Sequence, residues 1–143
     1  MDDAAKNRIH ESFDAQSMMA TLGARLEEVS TGHVVITAPI LPGSRQQQGF
    51  AHAGLTFSIG DSAAGYAALS TLPPDTEVVT AEMKINLLAP ATGDYLKALG
   101  RVIKPGKRLQ VVACDVFAIA GSKETHVALL QGTMMPVPRQ PQD

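Results

Sequence analysis

Between Ala51 and Ser70 the chain reads AHAGLTFSIGDSAAGYAALS, and this stretch limits the fold more than any other. It is almost wholly small or apolar, with no proline, and the sequence TLPPD follows directly. A segment this long and apolar on all sides predicts a buried helix rather than an amphipathic one, stopped by Pro73 and Pro74. Its Ala and Gly content makes it thin, which suits a helix gripped by a sheet.

The rest of the chain supplies the sheet. ARLEEVS and HVVITAPI, joined through Thr31 and Gly32, predict a first hairpin. After the loop LPGSRQQQGF and the buried helix, the pattern turns to period two. EVVTAEMKINLL, 95–104, 109–119 and 125–135 each predict a strand, with the turn Lys104-Pro-Gly-Lys107 between the second and third. Upstream, Ile9, Phe13, Gln16 and Met19 or Ala20 recur at helical spacing and Gly23 offers a left-handed stop, predicting a helix over about 9–22. The tail 136–143, PVPRQPQD, is expected to fray. The whole predicts one α+β domain over 1–143, an antiparallel sheet around one long helix; periodicity alone leaves other α+β wraps open.

Composition narrows the function. A net charge of −2 with 18% charged residues provides no basic face for nucleic acid. No run reaches the ~20 apolar residues that span a bilayer, and the polar start MDDAAKNRIHES lacks a signal-peptide core, so the expectation is a cytoplasmic protein with no membrane partner. Cys114, the single cysteine, sits in the strand-like run LQVVACDVFAI as a small buried hydrophobe. No His pairs with a second ligand at metal spacing and no glycine-rich phosphate loop follows a strand, so neither metal nor bound cofactor is expected.

QQQGFAHAGLTFSIGDSAAGYAA closely resembles the signature of the PaaI-like branch of hotdog-fold acyl-CoA thioesterases. That signature has a loop amide, a His-Gly-Gly opening the central helix, and an acidic residue nine positions after the His. The matching residues are Gln46, His52-Ala53-Gly54 and Asp61, and TAEMKINLLAPATGD resembles the strand and proline turn that follow. The likeness runs from 24 to about 135. It implies a hotdog fold, acyl-CoA hydrolysis without a cofactor, and a site built across a homodimer at least, with a dimer of dimers open. The chain departs from the signature with Ala53 for the middle Gly and Gln46 for the usual Asn; Ala53 keeps the backbone N–H.

Chemistry gives these residues roles. Thioester hydrolysis puts negative charge on the carbonyl oxygen, and a helix start offers unpaired N–H groups at its positive end, here near Ala53 and Gly54. Gln46 would add a donor or hold water, or be a plain polar loop residue. Asp61 is the one carboxylate in its helix; burying it costs several kcal/mol unless it is paired. It is therefore a general base, a nucleophile, or a carboxylate satisfied by Ser58, Ser62 or a partner subunit. It lies eight residues beyond Ala53, roughly 12 Å along the axis, so both groups serve one carbonyl only if two chains share the site.

His52 reads as a base, as a donor that contacts or positions the thioester, or as a satisfied loop histidine, with positioning and the plain loop role equally weighted. Thr80 matches a strand position where related enzymes hold a water-orienting hydroxyl. Alternation nevertheless sets it on the polar face with Glu82, Lys84 and Asn86, opposite Met83 and Ile85, unless a bulge intervenes. Arg101, Lys104, Lys107 and Arg108 cluster near a hairpin tip, either as cations for CoA phosphates or as a solvated turn. Two other readings compete: a non-catalytic acyl-ligand binder, for which a buried carboxylate has no use, and a hydratase, which needs an acid–base dyad.

Overall fold

The computed structural model describes residues 1–141. The chain runs α1 (Asp3–Ala15), α2 (Ser17–Thr21), β1 (Arg25–Ser30), β2 (His33–Pro39), a short 3-10 turn (Pro42–Ser44), α3 (Ala53–Leu69), β3 (Thr76–Leu87), β4 (Tyr95–Pro105), β5 (Gln110–Ala120) and β6 (Lys123–Pro138). The strands form one six-stranded antiparallel sheet in the order β1-β2-β4-β5-β6-β3. β4, β5 and β6 meander. β3, which precedes them in the chain, crosses to the far edge beside β6, and the sheet curls around α3 in the hotdog fold.

The absence of side chains at a few positions brings α3 close to the strands. A Cβ on Gly100 of β4 would stand 2.3 Å from the Ala63 carbonyl carbon, so only glycine lets the helix backbone touch the sheet there. Gly60 has a similar limit, because a Cβ would meet the Leu130 methyls at 2.8 Å. Around these contacts Leu55, Ile59, Ala63, Ala64, Ala67 and Leu69 of α3 bury against inward-facing Ile36, Leu96, Ala98, Val112 and Leu130 of the sheet. Cys114 is fully buried in this core, and burial pushes its thiol up to about 12.

The N-terminal segment departs from the expected helix over 9–22. Asp2 caps the Ala5 N–H at 2.8 Å and starts α1 earlier, and Gln16 leaves helical geometry with ψ 97°, dividing α1 from α2. Gly23 provides the left-handed stop, with φ +68°. Ile9 and Phe13 are buried, as their spacing predicts. Arg8 fastens α1 to the end of α3 by donating to the carbonyls of Leu69, Leu72 and Pro73. Such a cation satisfies carbonyls that a helix C-terminus leaves without intrahelical donors.

The tail also differs from expectation. Residues 136–138 continue β6, with Val78 opposite Pro136 and Thr76 opposite Pro138, and the Arg139 N–H donates to Asp75. β5 begins at Gln110, opposite Met134, so beyond that point the missing N–H of each proline breaks no ladder to β5. Positions 142 and 143 lie outside the described residues.

Gly100→Ala should destabilise the protein by about 2 kcal/mol or more, the upper range for a methyl forced into a packed core, since the obstacle is backbone and cannot turn aside. Denaturant midpoints of the two purified proteins check this; equal midpoints would show that α3 is not held at contact distance.

Candidate active site

The loop before α3 is tied at several points. His52 N–H donates to the Ser44 carbonyl and Ala51 N–H to the Ala91 carbonyl, both at 2.9 Å, which fixes where the helix begins. Gln46 folds back on its own loop: Oε1 accepts from the N–H groups of Gln48 and Phe50, and Nε2 donates to Gln48 Oε1 at 3.2 Å. One side-chain N–H of Gln46 remains without a partner among the described residues.

His52 is the N-cap of α3. Its Nδ1 accepts the Gly54 N–H at 2.7 Å, which requires the proton on Nε2 in the neutral ring. A Cβ on Gly54 would lie 2.9 Å from that nitrogen, so the glycine makes room for the cap. The cap occupies one of the two donors expected at the helix start. Leu55 and Thr56 N–H turn to the His52 carbonyl, and the Ala53 N–H stays without a partner among the described residues. Gln46, Gln48, Ala53, Thr56, Leu87 and Leu88 line a hollow of about 480 Å3 around it.

Asp61 lies two turns further along α3, in a second hollow of about 240 Å3. Its partner is Thr80, whose Oγ1 donates to Asp61 Oδ1 at 2.7 Å. Strict alternation excludes this contact. The register of β3 against β6 slips between Thr80 and Glu82, where Ala81 is the extra residue of a bulge; beyond it the parity reverses and Thr80 turns toward the helix. Ser58, the nearer hydroxyl in sequence, instead donates to the Gly54 carbonyl. Burial pushes the Asp61 carboxyl above the usual carboxylate range, and the Thr80 hydrogen bond opposes that rise in part.

The basic cluster separates. Arg101 sits within β4 and pairs with Asp115, whose other carboxylate oxygen lies 2.9 Å from His126 Nε2, so it is not a free cation at the hairpin tip. Lys104, Lys107 and Arg108 are exposed at the opposite end of α3 from Ala53, where Gln110 bonds to Thr71. One chain therefore joins Asp61 with Thr80, joins Gln46 with Ala53, and keeps the two pairs in separate hollows. Tyr66, Ser12 and Gln16 also line the Asp61 hollow. Spacing alone does not single them out; the signal in the sequence is Gln16, a polar residue in an otherwise apolar stripe.

The profile of the thioesterase superfamily matches residues 48–124. The chain belongs to that superfamily. The match takes in His52, Ala53, Asp61, Thr80 and the basic hairpin, while Gln46 precedes it. A thioesterase family protein from Silicibacter pomeroyi is 36% identical, with TM-score 0.92 over 94% of this chain and 98% of that one. The E. coli PaaI protein from the phenylacetic acid degradation operon shares the fold, with TM-score 0.85 at 23% identity over 95% of each chain. The 1,4-dihydroxy-2-naphthoyl-CoA hydrolase of Listeria monocytogenes is 27% identical over 94 residues, 66% of this chain and 76% of the relative. The chain is thus a thioester hydrolase, and its central helix carries a carboxylate, Asp61, held by the Thr80 hydroxyl of β3.

A carboxyl raised by burial costs the folded state more when ionised than the unfolded chain. Its stability contribution is complete below the ordinary Asp range and is lost as pH rises through the folded value. Asp61→Asn, which still accepts from Thr80, should therefore melt no lower than the parent at neutral pH. The gap should close as pH falls below the ordinary carboxylate range. A variant that melts lower at neutral pH by a pH-independent margin would show that the charge is stabilising.

Proposed function

We propose that the protein hydrolyses the thioester of an aromatic or medium-chain acyl-CoA at a site shared by two chains. Asp61, held by Thr80, comes from one chain, and the Ala53 N–H with Gln46 from the other. The separation carries this reading: Asp61 and Ala53 lie eight residues apart on one rigid helix, about 12 Å along its axis, and line different hollows. β3 favours a partner there. It is a twelve-residue edge strand without proline, and Val79 and Leu87 stand 44% and 58% exposed. Pairing two such edges antiparallel sets two α3 helices side by side, head to tail. The assembly is a homodimer at least, with a dimer of dimers open.

In such a site the thioester oxygen accepts from the Ala53 N–H at the positive end of α3 and from the free Gln46 N–H, where charge gathers as the carbonyl carbon becomes tetrahedral. Asp61 takes the proton of an attacking water, and the CoA thiolate leaves. Its raised value makes it a stronger base than an exposed aspartate. Direct attack by Asp61 with a mixed anhydride is the other route. Support for an aromatic acyl group comes from the Listeria relative, whose name specifies a naphthoyl-CoA. Acyl-CoA is found where CoA is made, which favours the cytoplasm.

Asp61→Asn should lower kcat at least ~100-fold with the assembly intact. Ala53→Pro should also be inactive yet folded, because Ala53 is the first residue of α3 and His52 is already extended at φ −62°, ψ 141°, as proline requires of its predecessor. Mixing Asp61→Ala with Ala53→Pro then restores one complete site in each mixed dimer. Random exchange should recover roughly a quarter of wild-type activity. Background activity after verified exchange would place both groups in one chain.

Head-to-tail pairing also brings one chain's β4–β5 hairpin toward the partner's helix start. Neutralising Lys104, Lys107 and Arg108 together should raise KM for CoA esters, leave kcat unchanged, and spare a short thioester lacking the nucleotide. An equal effect on both substrates would remove the hairpin from phosphate binding.

A further inference from the structure

The Thr80 hydroxyl has two acceptors within reach and one proton to give. Asp61 Oδ1 lies 2.7 Å from Thr80 Oγ1, and Met134 Sδ lies 3.4 Å from the same oxygen. A hydroxyl donates once and accepts on its own lone pairs, so the two acceptors compete. The carboxylate wins while it is charged, because a hydrogen bond to an ion is stronger than one to a thioether. The balance changes once Asp61 holds a proton.

Met134 is placed for that second arrangement by register. It stands directly opposite Thr80 in the β3–β6 ladder and opposite Gln110 in the β5–β6 ladder, beside the bulge that turns Thr80 inward. Its side chain is fully buried, and its thioether end lies over Gly65 of α3, where a Cβ would meet Cε at 3.7 Å and Sδ at 3.9 Å. Leucine is close to methionine in volume and fills such a site as well, so packing alone does not call for a sulfur. On a single chain Thr80 is exposed to water. Where a partner covers the β3 edge, the sulfur stays as an acceptor after that water leaves.

Other charges around the hollow are already engaged. Tyr66 and Glu77 are its other titratable lining residues: Tyr66 bonds to Ser12 and Gln16, and Glu77 pairs with Arg139 at 3.5 Å. Asp14 of α1 acts on the Tyr66 phenol, and Glu82 of β3 accepts from Thr133 on the outer face. Burial and the Thr80 hydrogen bond are what move the Asp61 carboxyl.

We propose that Met134 is a positioning residue for Asp61, its sulfur taking the Thr80 proton whenever Asp61 is an acid, so that Thr80 accepts from the group to which it had donated. Ionised, Asp61 accepts from Thr80. Holding a proton on Oδ1, it donates to Thr80 Oγ1 and the Thr80 O–H turns to Met134 Sδ, so each proton has an acceptor in both states. The thioether thus favours the protonated form and keeps Asp61 a stronger base, acting through Thr80 and not on the reacting atoms. This rests on the base role proposed for Asp61.

The test titrates the Asp61 carboxyl in the full chain by carbon-13 NMR, the signal being assigned by its loss in Asp61→Asn. Met134→Leu should lower the titration midpoint by about half a pH unit, because the protonated form loses an acceptor and the ionised form does not. Thr80→Val should raise it, because there the ionised form loses its donor. In Thr80→Val protein, adding Met134→Leu should move the midpoint no further, since the sulfur has no hydroxyl to act through. Norleucine in place of all six methionines exchanges sulfur for CH2 at nearly constant volume and should repeat the Met134→Leu shift without repacking. The acid limb of kcat/KM for hexanoyl-CoA or benzoyl-CoA should follow the same order. A midpoint unchanged or raised in either sulfur-free protein, or an equal drop with and without Thr80, overturns the proposal. No hydrolysis of these esters at any pH, with the midpoints shifted as expected, overturns the base role and keeps the Met134 contact.

Discussion

Helix α3 lies on the sheet with a glycine where a side chain would otherwise separate them. Gly100 faces the Ala63 carbonyl carbon at a distance no Cβ could occupy, and the rest of the molecule follows from that approach. A helix drawn this close must be thin on its inner side, hence Ala63, Ala64, Ala67 and Ala68, all fully buried. Dispersion and area burial then come from the strands, whose Ile36, Leu96 and Leu130 close over the narrow helix. The same closeness sets the height of Asp61 above the sheet. Thr80 reaches it across 2.7 Å because helix and strand have no spacer between them. A bulkier packing face would hold helix and strand too far apart for a threonine, and the carboxylate would bury without a partner.

Much of this architecture is legible in the sequence, since it depends on local composition. A long apolar run bounded by a histidine and two prolines has few outcomes besides a buried helix, and period-two segments after residue 76 read as strands. What escapes is set by register, which adjacent residues do not encode. Alternation puts Thr80 with Glu82 and Lys84; the extra Ala81 in β3 reverses the parity, and the reversal is decided by what Met134 and Thr133 of β6 pair with. Arg101 fails in the same way. Beside Lys104 in sequence it reads as part of a basic tip, but the register of β4 against β5 aligns Leu99 with Asp115 and brings the carboxylate within reach of the guanidinium. The tail misleads because its prolines signal fraying, while strand β3 supplies it a partner from sixty residues away.

Asp61 illustrates the tension between stability and chemistry at one atom group. Desolvation raises the cost of its charge, and a fold selected only for stability would exchange it for an apolar residue of similar size. Thr80 offsets part of the cost with one hydrogen bond to Oδ1 and leaves Oδ2 open to the hollow. Full satisfaction would return the carboxyl toward its ordinary value and weaken it as a base. Partial satisfaction holds it in place while keeping it basic.

The helix start resolves a similar conflict by dividing its donors. A free α-helix presents several unpaired N–H groups, and leaving them all bare costs stability, whereas capping them all leaves no electrostatic handle for an anion. Here His52 takes the Gly54 N–H, and the ring's approach is why residue 54 has no side chain. The His52 carbonyl takes the next two donors. Among the described residues Ala53 finds no partner for its N–H, and it lines the hollow that Gln46 borders. The three positions of His-Ala-Gly therefore carry different constraints: a ring nitrogen at 52, no Cβ at 54, and at 53 only a backbone. A methyl at 53 touches none of these requirements, so the departure from the family signature at that residue leaves the backbone donor in place.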